Sequence, residues 1–304
     1  MARLVFLGTP PAAAVSLEAL VRAGHDVALV VSRVDVRRGR GTARTPSPAK
    51  RVATDLGLAV TDRLEDVVAV GAELGIVVAY GRLIPGRILD VLPMLNLHFS
   101  LLPRWRGAAP VERAVLAGDR ETGVCVMRLE ESLDTGPVLA STRVSIESRE
   151  HVSALTERLA VTGARLLVDT LAPGVDALPV GVPQQGDATY AEKLRPDELR
   201  LDWARPTSEL ERVVRLDRAW TTFRGERLLV LDAVANDDGT TAAATHASSG
   251  GPGTLHETVV ETGDGALELL EVQPAGKRPM SASAWWRGAR VGTGEKLGDE
   301  ERRR

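Results

Sequence analysis

RLVFLGTPPAAAVSLEALVRAGHDVALVV, residues 3–31, sets the fold class. Leu4 to Leu7 is a short unbroken apolar run ended by Gly8, the pattern of a strand buried on both faces. Ala12 to Ala23 is rich in Ala and Leu and closes at Gly24, as a helix does. Val27 to Val31 is the next strand. The alternation continues with a helix over Pro48 to Leu56, ended by Gly57, and strands at Ile76 to Ala79 and Leu95 to His98. Val111 to Leu116 is helical up to Gly118, Val124 to Leu129 and Val138 to Val144 are expected to pair antiparallel, and Ser153 to Leu171 is a long amphipathic helix. Such alternation builds a mostly parallel sheet covered by helices. No GxGxxG follows the first strand, so a dinucleotide site is not supported.

The composition changes after Gly186. Residues 187–203 are polar and charged and read as a linker. Beyond them come a short helix, Leu210 to Leu216, and strand-like runs at Arg227 to Ala233, Val259 to Glu261, Ala266 to Gln273 and Ala289 to Val291. Short strands with one helix in that length predict a small β-barrel. The Gly, Ser, Thr and Ala-rich stretch Asn236 to Gly253 is read as a loop. The expected division is therefore 1–186, a linker at 187–203, and 204–304.

With 304 residues, 44% hydrophobic and 26% charged, the chain has ample material for two cores. A net charge of −3 excludes a general polyanion binder and confines any nucleic-acid surface to a local patch. The single cysteine, Cys125, excludes an internal disulfide framework and fits a reducing, cytoplasmic compartment. The start, MARLVFLGTP, is too short for a signal peptide, and no apolar run reaches membrane-spanning length.

Chemistry concentrates in NLHFSLLPRWRGAAP, residues 96–110, and SLDTG, residues 132–136. Asn96 and His98 are two apart on a strand and so project from one face near its carboxyl end, where open α/β sheets bind ligands. Asn96 offers a fixed amide donor, and His98 an imidazole that donates to a developing oxyanion or moves protons near neutral pH. Asp134 supplies a carboxylate to orient the imidazole, hold a water or take up a proton. Together they suit acyl transfer to an amine. Asp-Thr-Gly is also the aspartic-protease signature, but one copy in an α/β pattern argues against that reading. No His/Cys/Asp/Glu cluster has zinc-ligand spacing, so no metal is expected.

Two loops frame these residues. RVDVRRGRGTARTPSPAKR, residues 33–51, carries seven basic side chains against one Asp and suits phosphates or an acceptor stem. Arg40, between two glycines, is the preferred contact. AYGRLIP, residues 79–85, follows the third strand and is a candidate wall for a flat heterocycle.

Taken in order, FLGTP, GRG-x4-PSPAK, NLHFSLLPRWRGAAP, ETGV-x6-ESLDTGPVL, ATYAEKL, LDW-x-RP and GDGALELLEVQPAGKRPMSASAWWRGAR resemble the methionyl-tRNA formyltransferase family from about residue 3 to residue 298. The catalytic motif is shared with a wider group of enzymes using 10-formyltetrahydrofolate. The basic loop and the C-terminal segments carry the resemblance to the tRNA enzymes. The resemblance implies an α/β protein: a Rossmann-like, mostly parallel sheet domain for catalysis and a smaller OB-fold-like β-barrel domain that supports tRNA binding. It implies a cytoplasmic monomer that formylates the α-amino group of methionyl initiator tRNA for translation initiation, with 10-formyltetrahydrofolate as donor and no metal. Asn96, His98 and Asp134 match the catalytic trio. Tyr80, Gly81, Arg82, Leu83, Ile84 and Pro85, with Ser100, Leu101, Leu102 and Pro103, match regions lining the formylfolate site. Arg40 matches a tRNA-recognising arginine, and Arg37, Arg38 and Arg44 share its loop. Departures include Phe99 and Ser132 where glycine is usual, and Phe99 is expected to narrow the folate approach.

Two other functions keep the same polar residues. One is formyl transfer to a nucleotide-linked amino sugar, or hydrolysis of formylfolate; the other is a silent tRNA-binding module. The tRNA-directed loop favours the tRNA enzyme over the first, and the intact trio counts against the second.

Overall fold

The computed structural model describes residues 1–37, 44–236, 250–292 and 294–299. The chain divides into two compact units. The first comprises Met1–Ala114, Arg120–Glu147 and Ala154–Lys193; the second comprises Val115–Asp119, Ser148–Ser153 and Leu194–Arg304. The segments Val115–Asp119 and Ser148–Ser153, read from sequence as part of the N-terminal domain, cluster with the second unit.

In chain order the first part holds β1 (Arg3–Gly8), α1 (Pro11–Arg22), β2 (Asp26–Val31), β3 (Val36–Arg37), β4 (Arg44–Thr45), α2 (Pro48–Asp55), β5 (Val60–Thr61), β6 (Leu74–Val78), α3 (Gly86–Leu89), β7 (Met94–His98), β8 (Arg106–Gly107), α4 (Pro110–Ala117), β9 (Glu121–Arg128), β10 (Val138–Ser145), α5 (Val152–Leu171) and β11 (Tyr190–Ala191). Seven strands form one sheet in the order β10-β9-β7-β6-β1-β2-β5. The five from β7 to β5 are mutually parallel, while β9 runs antiparallel to both β7 and β10. The chain moves outward from β1 through β2 to β5, then returns to β6 on the other side of β1. That reversal opens a crevice at the carboxyl ends of the strands.

Proline starts three helices where its missing N–H is not needed: Pro11 in α1, Pro48 in α2 and Pro110 in α4. Ser47 caps α2 by accepting the Lys50 amide at 3.0 Å. One sheet face, with Val5, Leu7, Leu29, Val31 and Val77, packs on Leu64, Val67, Ile84, Ile88 and Leu92. The other receives α5: a Cβ on Gly163 would lie 2.9 Å from Leu97 Cδ2. Leu97 therefore points at α5, and its neighbours Asn96 and His98 project from the opposite face.

The second unit carries α6 (Thr207–Val214), β12 (Trp220–Phe223), β13 (Glu226–Ala235), β14 (Leu255–His256), β15 (Val259–Glu261), β16 (Ala266–Pro274), β17 (Met280–Ser281) and α7 (Ala282–Ala289). Its antiparallel sheet runs β12-β13-β16-β15-β14, with β17 on β16. Among the described residues no strand pairs β12 with β14, so strand pairing alone leaves this sheet open. A late segment spans the gap. Gly298 donates to Thr222 O at 2.9 Å, Leu297 to Gly253 O at 2.8 Å, and Leu255 to Glu295 O at 2.8 Å. The core holds Leu201, Trp203, Leu210, Val213, Phe223, Val230, Leu267 and Trp285, with Phe223 edge-on to Trp285 at 5.2 Å.

One sequence expectation is corrected here. Ala289 to Val291 is not a strand: Ala289 ends α7 and Arg290 follows in the left-handed region. Ser281 caps that helix from the Ala284 amide, and Ala282 and Trp285, three apart, face the core. The polar run 187–203, read as a linker, carries local structure of its own. It forms β11, a 3-10 turn at Pro196–Leu199, and an apolar anchor of Leu199, Leu201 and Trp203.

Arg224 joins several parts of the second unit. Its guanidinium donates to Ala289 O and Arg290 O, pairs with both carboxylate oxygens of Glu295 at 2.9 Å, and lies 4.6 Å above the Phe223 ring. The ion pair is half exposed and contributes little by itself. The helix-end and ring contacts add to it. Arg224→Ala is expected to lower unfolding stability by about 1–2 kcal/mol, read as a shifted urea midpoint of the full chain.

Candidate active site

All five residues of β7 are buried. Asn96 aligns with Val77 of β6 on one side and Met127 of β9 on the other, and His98 aligns with Cys125. This strand cannot shift without disturbing both neighbours, so its two polar side chains are held by the sheet.

Asp134 reaches the same place from the turn after β9. The turn is tight: Gly136 packs so closely on Arg128 that a Cβ there would lie 2.0 Å from its carbonyl oxygen. Asp134 itself has φ +50°, a left-handed conformation that Asp tolerates better than most residues. Its carboxylate accepts the Asn96 amide at 3.3 Å through Oδ1 and the Gly107 N–H at 2.8 Å through Oδ2. His98 Nδ1 lies 3.6 Å from Oδ2. Asn96, His98 and Asp134 are 9%, 5% and 7% exposed, so each contact operates largely out of water, where electrostatic interactions gain strength.

The ring of His98 is oriented from its other side. Nε2 is 2.8 Å from Trp105 O. A carbonyl only accepts, so Nε2 carries the proton that makes this bond. Nδ1 is then the nitrogen that faces the carboxylate.

The supporting loop is fixed by the segment ATYA, residues 188–191. β8 pairs with β11, Trp105 N–H donates to Thr189 Oγ1 at 2.9 Å, and a Cβ on Gly107 would lie 2.9 Å from Ala191 O. At φ +120° Gly107 also holds a conformation closed to other residues.

A model of formyl transferase matches residues 2–171, and a model of the formyl transferase C-terminal domain matches residues 193–290. Methionyl-tRNA formyltransferase of Ruegeria pomeroyi is 40% identical over 311 residues, covering 97% of this chain and 100% of that protein. Its counterpart in Streptomyces coelicolor is 41% identical over 313 residues, with 98% and 100% covered. The chain belongs to the methionyl-tRNA formyltransferase family. Among solved structures, HypX from Aquifex aeolicus in complex with tetrahydrofolic acid aligns with TM-score 0.65 at 17% identity, a likeness of fold. That alignment covers 96% of this chain and 48% of HypX.

In this methionyl-tRNA formyltransferase family member, loops 80–85 and 100–103 mix buried and exposed side chains. Tyr80 is buried in the layer beneath the sheet, with the Arg82 side chain beside its hydroxyl. Burial pushes its phenol above the usual range. Gly81 turns the chain at φ +77°, Arg82 and Leu83 are exposed, Ile84 is buried, and Pro85 is the N-cap of α3. Ser100 is buried, and its hydroxyl donates to Arg104 O. Leu101 packs against Gly123 of β9, and Leu102 and Pro103 are half-buried. Phe99 is buried at 8% exposure. Arg37 lies on β3 and Arg44 is exposed on β4, while Arg38 and Arg40 lie outside the described residues. Cys125 is a buried thiol whose pKa is pushed up by desolvation.

Sequence reasoning did not find the Trp105 carbonyl, the Gly107 amide, or Gln184. The Gln184 amide donates to Asp134 O at 2.8 Å and Gly136 O at 2.9 Å. Its oxygen accepts Arg106 Nη2 at 2.6 Å. Among the described residues no group of three or more His, Cys, Asp or Glu is placed to hold a metal ion, and no helix is long and apolar enough to cross a membrane.

Proposed function

We propose that the chain transfers a formyl group from 10-formyltetrahydrofolate to the α-amino group of methionine esterified to initiator tRNA. One observation carries this reading: Asn96, His98 and Asp134, on two remote segments, meet at the carboxyl end of a parallel strand. The near-full-length likeness to named methionyl-tRNA formyltransferases points to the acceptor.

A free α-amine titrates at about 7.7–8.0, and esterifying the carboxyl lowers that, so much of the nucleophile is neutral near pH 7. The work left to the protein is positioning and charge stabilisation. The amine nitrogen attacks the formyl carbon, and the carbonyl oxygen becomes an oxyanion. Asn96 still has one amide N–H not given to Asp134, and that donor serves the oxyanion. The His98–Asp134 pair receives the proton lost by the attacking nitrogen. The carbon–N10 bond then breaks, the proton passes to N10, and tetrahydrofolate and formylated methionyl-tRNA leave. Loops 80–85 and 100–103 line the folate.

Arg37, Arg38, Arg40 and Arg44 contact the tRNA acceptor end. The second unit acts as an OB-like barrel that supports tRNA binding. The Glu295–Gly298 segment, bonded to both sheet edges, supports the barrel reading. The protein works in the cytoplasm as a monomer.

Incubation with labelled formylfolate and, separately, charged initiator tRNA, charged elongator tRNA and a nucleotide-linked amino sugar tests the assignment. The label is expected on initiator methionyl-tRNA. Label on the sugar alone overturns it. Arg40→Ala is expected to raise KM for methionyl-tRNA roughly tenfold, with the KM for formylfolate unchanged. The reverse pattern removes the basic loop from tRNA recognition.

A further inference from the structure

The Asp134 carboxylate is held by a closed circuit of contacts. Gly107 donates to the carboxylate. The preceding residue, Arg106, directs Nε and Nη2 at Gln184 Oε1, at 3.1 and 2.6 Å. Gln184 in turn gives both protons of its amide to the turn that carries Asp134, one to the carbonyl of residue 134 and one to that of residue 136. The amide orientation is dictated by its neighbours. Exchanging its N and O would set oxygen against two carbonyls and NH₂ against a guanidinium.

Gln184 is itself anchored. Val182 and Val138 exchange backbone hydrogen bonds at 2.8 and 2.9 Å, which lays this segment beside the start of β10 just past the Asp134 turn. Gln184 thus ties together the left-handed turn and the loop that provides the Gly107 donor. Arg106 and Gln184 lie 78 residues apart in the chain. Nothing in turn formation alone calls for one primary amide to span both carbonyls and a guanidinium.

We propose that Gln184 is a positioning residue for formyl transfer. It sets the Asp134 carboxylate against His98 and Asn96 through the Arg106–Gln184–Asp134 circuit. The proposal rests on the formyl-transfer reading of this site. A misplacement near one ångström at a reacting group costs on the order of 100-fold in rate, so the circuit has ample leverage without touching either substrate.

The test is single-turnover formyl transfer by the full chain carrying Gln184→Met, in the wild-type and in the Asp134→Asn background, with wild-type turnover in the same assay reading the reaction itself. Gln184→Met is expected to lower kcat roughly 10- to 100-fold, with KM for both substrates held within about twofold. In the Asp134→Asn background the same change is expected to cost less than about twofold, because Gln184 acts through the carboxylate already removed. Gln184→Glu keeps the Arg106 contact but has no proton for the two carbonyls, so it is expected to reproduce the loss if the Met variant folds poorly. Wild-type kcat in either variant overturns the proposal, as does an equal loss in both backgrounds.

Discussion

His98→Ala is expected to lower the rate of formyl transfer by about 10²- to 10⁴-fold, the range for losing a positioned acid–base group. The ring is 5% exposed, its Nε2 is committed to Trp105 O, and its Nδ1 faces Asp134 Oδ2 at 3.6 Å. Among the described residues His98 is the one imidazole paired with this carboxylate; His151 bonds Asp217 and His256 bonds Glu261. Truncation leaves the Trp105 carbonyl short of one donor, a cost of about 1 kcal/mol that a folded domain absorbs. Single-turnover rates at saturating substrate, alongside far-UV circular dichroism, check the prediction. A folded variant with near-normal turnover removes His98 from the chemistry.

Replacement of Asp134 is the second large effect, and two variants separate its causes. Asp134→Ala strips the acceptor from both the Gly107 N–H and the Asn96 amide. Each buried donor left unpaired costs about 1–3 kcal/mol, so stability falls together with a rate loss of about 10²- to 10⁴-fold. Asp134→Asn keeps the shape. Its NH₂ must nevertheless face either the Asn96 amide or the Gly107 N–H, donor against donor, and the negative charge beside His98 is gone. The Asn variant is expected to regain part of the lost thermal midpoint and little of the rate. Recovery of both by Asn shows that Asp134 serves packing alone.

Much of the first unit was legible because its strands are unbroken apolar runs ended by glycine. Gly8, Gly24 and Gly57 mark ends that the structure keeps. The convergence of Asn96 and His98 followed from the two-residue period of a strand. Elements of two to four residues, β5, the paired β3 and β4, and α3, were not legible, since so few residues carry no period. The run AWWRGARV hid a helix end because its aromatic and β-branched residues imitate a strand, although Ser281 was a readable cap. In 187–203 the charges outnumber Leu199, Leu201 and Trp203, yet those three make the packing.

Around the trio, the sequence named the polar side chains that converge and missed the groups that hold them. The contacts of Gln184 end on backbone carbonyls, and Trp105 enters the site through its own carbonyl. Such groups are common to every residue, so residue type reveals nothing about them. Gly107 was visible as a letter only; its need for φ +120° appears once β11 lies against it.

The most direct test compares single-turnover formyl transfer in His98→Ala, Asp134→Asn and the double variant. If the imidazole and the carboxylate act as one proton-holding unit, the double variant is no more than about threefold slower than the slower single variant. Losses that multiply in the double variant contradict a shared role.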